Sequence, residues 1–483
     1  MSSTSPSSSS TSPSFTFTWR TYVLPILLST VVYISIAFHV NSYIFPYPLS
    51  DVRNRDVEAS STVFEGPYSI NTYLRDNIEH LVNNKVHNPE TIFIQPNTNH
   101  IFIFDRLGYL YRIHIHNPFI VNSNHNRIND DSSVEVIGYI GGRVLGAMFL
   151  NQNTIIACDV AKGLLQIKLQ YDKDNNQQQQ YTIDTIEILS IGTDVPYISP
   201  IHYIDDLDIT QDGTTIYFSD AADTHPYMKP ISLSTLQTKI NKQTTSTKWY
   251  PNETFVQELY NSGTTYWTTK ELSLIDFYRG YGTGKLLKYN FLTKKTEILI
   301  SNLYFANGVA LSKDESFVLV AETFNMRIIR YWLKGDRAGS KEIFAELPCV
   351  PDGISRAYDG GFYVACPSII SPLFSIASQF SFVRWFVGSL PSFLWPPTPN
   401  DGVILKLHSN GAPAYALHDV GGKHVHFITA VTEVPDPSFV QQQQTEEREG
   451  KSTNRKPTEG WLYFGQLQGS SIPRVRIPQN VNF

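Results

Sequence analysis

A repeated pattern of two apolar runs fills residues 86–477 of the 483-residue chain and constrains its fold more than any other feature. In five copies a loop residue precedes a short apolar run, a polar turn follows, and a second apolar run ends 14 or 15 residues after the loop residue. The clearest copies read NGVALSKDESFVLVAE from Asn307 and DGISRAYDGGFYVAC from Asp352. Alternating apolar runs bounded by Asp and Gly turns are typical of paired antiparallel strands.

The number of copies predicts the architecture. A sixth copy is stretched by a polar insertion, and each copy continues into a further apolar strand. Six small antiparallel sheets in tandem predict an all-β, six-bladed β-propeller. The loops that lead into the innermost strands of a propeller converge on the central channel. Their residues in this chain are Glu90, Leu145, Asp205, Asn307, Asp352 and Ala430.

The amino-acid composition indicates a protein with a large core and argues against a nucleic-acid partner and a disulfide-rich scaffold. The 27 Tyr and 28 Phe suit an aromatic-rich β protein with a large core, and a net charge of −6 without a basic stripe argues against nucleic acid as a partner. Three cysteines do not make a disulfide scaffold. Cys158 and Cys366 lie in apolar strands, so we expect buried inert thiols there, with a Cys349–Cys366 bridge left open as the alternative.

The N-terminal region indicates a membrane anchor. Residues 1–20 are rich in Ser, Thr and Pro, which predicts a disordered tail, and residues 21–40 carry no charge over a length that spans a bilayer. We interpret 21–40 as an uncleaved transmembrane signal anchor. The alternative is a cleaved signal peptide, for which Ser35-Ile36-Ala37 offers small residues. The predicted protein is single-pass, in the endoplasmic reticulum or plasma membrane, with a lumenal or extracellular propeller, and a glycosylation sequon at Asn252 fits that side.

Segments outside the repeat form a lead-in and three insertions. Residues 41–85 form a linker and lead-in, and a helix is predicted over Tyr73–Val86. The insertions are 221–281, 368–399 and 435–459. The apolar insertion 368–399 has a single charge, Arg384, and predicts an amphipathic helix over the propeller mouth or against a bilayer. A helix simply packed on the blades is the alternative. The polar insertion 435–459 is expected to lack fixed structure.

Four of the six channel residues carry side-chain oxygens. Glu90, Asp205, Asn307 and Asp352 would supply three carboxylates and one amide, the hard donors that Ca²⁺ prefers, whereas zinc would require His or Cys. Asp206 is placed to orient a ligand or a water. Each residue by itself also suits a turn, but four at the same phase of the repeat predict a calcium site.

Calcium at a channel mouth suggests hydrolysis by a Lewis acid, with Asp205 or Asp352 as base or nucleophile and Asp206 in support. His202, His424 and His426 are candidate proton shuttles, although a structural role is the simpler interpretation of each. No Gly-x-Ser-x-Gly motif supports a serine hydrolase. The alternative function is a non-catalytic membrane receptor or scaffold with structural calcium.

The stretches LYFANGVALSKDESFVLVAETFNMRIIRYWLKG, YIDDLDITQDGTTIYFSD and GGRVLGAMF resemble the strictosidine synthase-like proteins. The resemblance implies a six-bladed propeller of a class that includes calcium-dependent lactonases, esterases and phosphotriesterases, and thus a small ester or lactone as substrate. It places the class's metal ligands at Glu90, Asp205-Asp206, Asn307 and Asp352. The catalytic glutamate of the true synthase falls at or near Ala430, so amine–aldehyde condensation is not expected.

Overall fold

The computed structural model describes residues 29–30, 32–33, 52–55, 59–96, 98, 100–114, 133–160, 162–172, 180–190, 201–224, 269–390, 394–448 and 458–479. These residues contain six four-stranded antiparallel sheets, which we call blades 1 to 6. The innermost strands of successive blades are neighbours around a closed ring. The six-bladed propeller predicted from the repeat is therefore confirmed.

The strands of the first three blades follow one another along the chain, from the channel outward. Blade 1 contains Thr91–Ile94, Ile101–Phe104, Tyr109–His114 and Ser133–Tyr139. Blade 2 contains Val144–Asn151, Thr154–Asp159, Gly163–Asp172 and Gln180–Ser190. Blade 3 contains Ile204–Ile209, Thr215–Asp220, Gly284–Asn290 and Lys295–Leu303.

Blades 4 and 5 keep the same order. Blade 4 contains Ala306–Leu311, Phe317–Glu322, Arg327–Trp332 and Lys341–Glu346. Blade 5 contains Ile354–Arg356, Phe362–Cys366, Gly402–Leu407 and Pro413–Asp419. A short extra pair, Cys349–Val350 with Ser368–Ile369, lies beside it, and a Cys349–Cys366 disulfide joins this pair to the second strand of the blade. The expectation of an inert thiol at Cys366 is therefore wrong, while Cys158 is a buried free cysteine as expected.

Blade 6 closes the ring with strands from both ends of the propeller sequence. It contains Ile428–Pro435, Gly460–Gln466 and Ile472–Arg476, and Glu79–Leu81 pairs with the last of these. The helix predicted from Tyr73 to Val86 is therefore wrong beyond Asn77, since only Tyr73–Asn77 is helical. Burial of Leu81 and Val82 against blades 1 and 6 favours the strand over a longer helix.

Three helices cover the end of the channel at which the innermost strands begin, which we call the mouth. Thr269–Arg279 follows the second strand of blade 3, and Pro372–Gln379 and Ser381–Gly388 follow the second strand of blade 5. Ser371 caps the first helix of the pair by accepting a hydrogen bond from the Phe374 N–H, and Pro372 fits its first turn. The insertion 368–399 is thus helical as predicted, but as two helices, which together with Thr269–Arg279 we call the cap.

Other short elements complete the described chain. A helix spans Pro437–Arg448, and one-turn 3₁₀ helices span Gly66–Tyr68 and Thr323–Asn325. The expectation of an unstructured insertion at 435–459 is therefore wrong for Pro437–Arg448. Its Gln-rich sequence favours a helix, and Phe439 anchors it by packing on Tyr358.

Four residues of the predicted anchor, Ser29, Thr30, Val32 and Tyr33, are described, and all four are helical. Within the described part of the chain, no helix has the length and apolar character needed to cross a bilayer. The rest of the segment 21–40, the tail 1–20 and the sequon at Asn252 lie outside the described residues.

Candidate functional site

Irregular pairing at the mouth brings the predicted site residues to the channel. In blade 3 the register shifts between Ile204 and Leu207, and in blade 4 it shifts between Ala306 and Val309. Such bulges re-aim side chains at the end of a strand. The two residues inside each bulge are Asp205-Asp206 and Asn307-Gly308, and the first residue of each pair is the one that the repeat placed at the channel.

Close backbone contacts between blades fix these residues. The Gly308 N–H donates to the Asp352 carbonyl at 3.0 Å, and the Gly353 N–H donates to the Thr429 carbonyl at 2.9 Å. A Cβ on Gly308 would lie 2.4 Å from the Asp352 carbonyl oxygen, so only glycine allows this approach. Blades 4, 5 and 6 are therefore joined edge to edge at the height of the site.

Asp205, Asn307 and Asp352 form one cluster, in which Asp205 and Asn307 are buried and Asp352 is half-buried. The Asn307 side chain hydrogen-bonds to the Asp352 carboxylate and lowers its pKa, but burial is the larger effect and raises that pKa overall. The pKa of Asp205 is also raised, first by burial and then by the charges of Asp352 and Asp206. Two interacting carboxyl groups that are largely removed from water do not readily ionise together unless a cation lies beside them.

Asp206 has a different role from its neighbour. Its Oδ2 accepts a hydrogen bond from the Val309 N–H at 3.0 Å, and its Oδ1 accepts one from the Leu207 N–H at 2.9 Å. Burial raises the pKa of Asp206 to about 7, although both bonds oppose that rise. The side chain thus connects blade 3 to blade 4 and positions Asp205 and Asn307.

Glu90 reaches the cluster through an arginine that the sequence analysis missed. Arg143 lies directly before the innermost strand of blade 2, as Glu90 lies directly before that of blade 1, and the two side chains form a buried ion pair. The charge of Arg143 also lowers the pKa of Asp205. The position of Arg143, a charged residue immediately before an apolar strand, was the signal that could have identified it. The repeat spacing instead gave Leu145 as the channel residue of blade 2, and Leu145 packs under the cap.

The donor set partly fits the predicted calcium ion. Asp205, Asn307 and Asp352 offer hard oxygens from three blades, and the Asn307 Oδ1 is buried with no hydrogen-bond partner among the described residues. Glu90, Asp205 and Asp352 together have three carboxyl groups, against the single guanidinium of Arg143. Glu90, however, is engaged by Arg143, and the described residues include no group of three His, Cys, Asp or Glu side chains able to hold a metal ion. A calcium ion would therefore rely on the amide of Asn307, on water, and on a Glu90 released from Arg143.

A second set of buried acids supports the loops at the mouth. They lie at the end of the second strand in blades 1 to 4, as its last residue or, for Asp105, directly after it, and comprise Asp105, Asp159, Asp220 and Glu322. Asp220 accepts hydrogen bonds from the N–H groups of His202 and Tyr203, and Glu322 accepts one from the Tyr304 N–H. The repeat spacing had marked these positions only as strand ends. In blade 5 the equivalent residue is Cys366, so the disulfide takes the place of a carboxylate.

The other predicted residues lie outside the cluster. His202 is mostly buried beneath the cap, which lowers its pKa. His424 interacts electrostatically with His80 on the outermost strand of blade 6. Ala430 pairs with Gly465 and offers no polar side-chain group.

The cap packs on the loops at the mouth. Leu272 and Ile275 of the first cap helix and Val387 of the last pack on Tyr203 and Tyr304 from the loops at the mouth. Phe277 stacks on Phe374 with ring centroids 4.5 Å apart, which joins the cap helices to one another. A cavity of about 870 Å³ lies beside the cap, lined by residues that include Arg55, Phe64, Met326 and Phe380. None of the four predicted ligands lines it.

Comparisons with known proteins agree with the resemblance. A family model described as strictosidine synthase matches residues 253–336. A strictosidine synthase-like protein 10 of Arabidopsis thaliana is 40% identical over 158 residues, which cover 31% of this chain and 42% of that protein. The adipocyte plasma membrane-associated protein of Rattus norvegicus is 28% identical over 343 residues, which cover 70% of each chain.

Solved structures also align with most of the chain. A gluconolactonase from Xanthomonas campestris aligns with a TM-score of 0.42 and 11% identity over 88% of this chain and 100% of its own. A calcium-binding regucalcin from Agrobacterium tumefaciens aligns with a TM-score of 0.41 and 8% identity over 83% of this chain and 95% of its own. At this level of similarity, nothing about binding or activity transfers. The sequence matches, however, confirm the resemblance: this chain is similar in sequence to the strictosidine synthase-like proteins and to adipocyte plasma membrane-associated protein.

Proposed function

We propose that this protein is a membrane-anchored, calcium-dependent hydrolase of small esters or lactones, with its active site at the channel mouth. The observation that carries the proposal is the cluster of Asp205, Asn307 and Asp352, in which burial raises the pKa of both carboxyl groups, so that a bound cation would favour their ionised forms. A largely buried cluster of oxygen donors suits a hard divalent cation.

The residues would divide the work as follows. Calcium, when bound, supplies a Lewis acid that polarises the carbonyl of the substrate. Asp205 or Asp352 accepts a proton from the attacking water, and Asn307 orients the carboxylate of Asp352 through their hydrogen bond. Asp206 holds the segments of blades 3 and 4 in place, and the cap limits the access of bulk water.

Three observations support the anchor, and the disulfide supports its orientation. Residues 21–40 carry no charge, the four described residues of that segment are helical, and a relative is named for the plasma membrane. The Cys349–Cys366 disulfide favours an oxidising compartment, in which the propeller is lumenal or extracellular. A glycan at Asn252 would lie on the same side.

The test is an assay of the purified full chain on phenyl acetate and a set of lactones, with calcium or with chelator. We expect turnover that the chelator abolishes and that Asp352→Asn and Asp205→Asn each reduce strongly. Asp336→Asn is the matched control, because Asp336 lies exposed in a turn of blade 4. Turnover that survives chelation and both substitutions would contradict the proposal.

The ion pair of Glu90 with Arg143 favours a second candidate function, a non-catalytic membrane propeller in which the cluster stabilises the fold. A protein of this kind would gain thermal stability with calcium but hydrolyse none of the substrates. Measurement of the melting temperature with and without chelator, beside the same substrate set, separates the two functions.

A further inference from the structure

The outer face of the last two cap helices is apolar. Six large apolar side chains are exposed within 22 residues, and one of them, Phe382, is 69% exposed. They are Leu373, Ile376, Phe380, Phe382, Phe386 and Leu394. Large exposed apolar patches usually mark a surface that another molecule or a membrane covers.

The single charge of this segment is turned inward. Arg384 is the only charged residue between positions 368 and 399, and its side chain is completely buried. Its guanidinium donates to the Ala377 carbonyl at 2.7 Å, to the Ser378 carbonyl at 3.1 Å and to the carbonyl of Arg53. The helix pair therefore has its charge inside and its aromatic rings outside, which is the reverse of a helix that faces water.

The N-terminal chain leaves the propeller at this same place. The Arg53 N–H donates to the Arg279 carbonyl at 3.0 Å, and the Arg53 guanidinium lies 4.1 Å from the centre of the Tyr281 ring. Arg53 is 13 residues beyond position 40, where the proposed anchor ends (53 − 40). A chain of that length reaches at most about 45 Å, so an anchored propeller keeps its cap close to the lipid.

From these observations we propose that the outer face of Leu373–Leu394 docks on the surface of the bilayer that holds the anchor. The inference rests on the anchor of the proposed function, but not on the hydrolase activity. Phe380, Phe382 and Phe386 enter the boundary between headgroups and acyl chains, where exposed aromatic and aliphatic groups are stabilised. The channel mouth then faces the membrane, and substrates reach the site from the lipid side of the propeller.

The experiment measures the depth of a fluorophore in the membrane. An environment-sensitive dye is attached to Phe382→Cys in the full chain, reconstituted in phosphatidylcholine nanodiscs with or without acyl-chain quenchers. Leu292→Cys is the matched control, because Leu292 is 82% exposed in the turn at the opposite end of blade 3. The free Cys158 is buried and the other two cysteines are bridged, so neither set competes for the dye.

We expect a blue shift and lipid-dependent quenching at position 382 and neither at position 292. Ile376→Cys, on the same face, should behave like Phe382→Cys. Equal and weak quenching at all three positions would overturn docking, as would shielding of position 382 by a second labelled copy without lipid. Protein that fails to enter the nanodiscs would overturn the anchor and the docking together, whereas an inactive protein that shows the expected quenching would refute only the hydrolase.

Discussion

The carboxylate of Asp206 in blade 3 accepts the backbone N–H of Val309 in blade 4, at 3.0 Å. Asp206 is one residue from Asp205, and Val309 is two residues from Asn307. This single, partly buried bond therefore fixes the spacing of two residues that are proposed to act together.

Replacing Asp206 with Ala leaves the Val309 and Leu207 N–H groups without their acceptor. Each unsatisfied buried group costs about 1–3 kcal/mol, so urea denaturation should show a loss of stability in that range or above. Asp206→Asn keeps one carbonyl acceptor and should lose less. Asp336→Ala serves as the exposed control, and equal stability of Asp206→Ala and this control would contradict the assigned role.

Arg143→Met removes the cation that neutralises Glu90 and lowers the pKa of Asp205. We expect the variant to be less stable than the native protein in chelator, because the remaining carboxylates repel one another. Calcium should restore more stability to the variant than to the native protein, since Glu90 is free to bind it. Melting temperatures and calorimetric titration with calcium measure both effects, and an unchanged calcium affinity would show that the ion pair does not compete with the metal.

Asp276, in the first cap helix, gives the protein a pH dependence of stability. Burial raises its pKa to about 7, against the opposing charge of Arg279. Between about pH 4 and 7 the folded state therefore holds a proton that the unfolded state has lost, so this group's contribution to stability falls as pH rises. Asp276→Asn should flatten the melting temperature over that range and raise it above pH 7. A variant whose profile parallels that of the native protein would disprove the assignment.

The Cys349–Cys366 bridge joins residues separated by 17 positions. A loop of this size contributes about 3 kcal/mol by restricting the unfolded chain. Reductant should therefore lower the melting temperature of the native protein and have no effect on the double variant Cys349→Ser, Cys366→Ser. Cys158→Ala is the control that should keep the full response to reductant.

Much of the fold follows from the sequence, because a strand pattern repeated at a fixed spacing has few solutions. The same spacing located Asp205 and Asn307, since the bulges that aim them at the channel recur at one phase of the repeat, and it located Asp352 two residues before the innermost strand of blade 5. The strand Glu79–Leu81 was missed because its short run resembles a helix until its distant partner is known.

Contacts between distant segments explain the other differences. The ion pair of Arg143 with Glu90 joins two blades, and the sequence around either residue does not indicate the other. The turning inward of Arg384 likewise depends on carbonyl groups of Ala377, Ser378 and Arg53, which only the folded cap brings together. Local sequence patterns do not predict such contacts between distant residues.

Blade 6 obtains its outermost strand by pairing Leu81 with Ile472, two residues that are 391 positions apart (472 − 81). A contact over that distance forms late, because nearly the whole propeller has to be synthesised before Ile472 is available to pair with Leu81. During translation the growing chain therefore exposes an unpaired sheet edge, which is a template for aggregation. Chaperones that shield strand edges should matter most to this protein in the interval between the synthesis of blade 1 and the arrival of Ile472–Arg476.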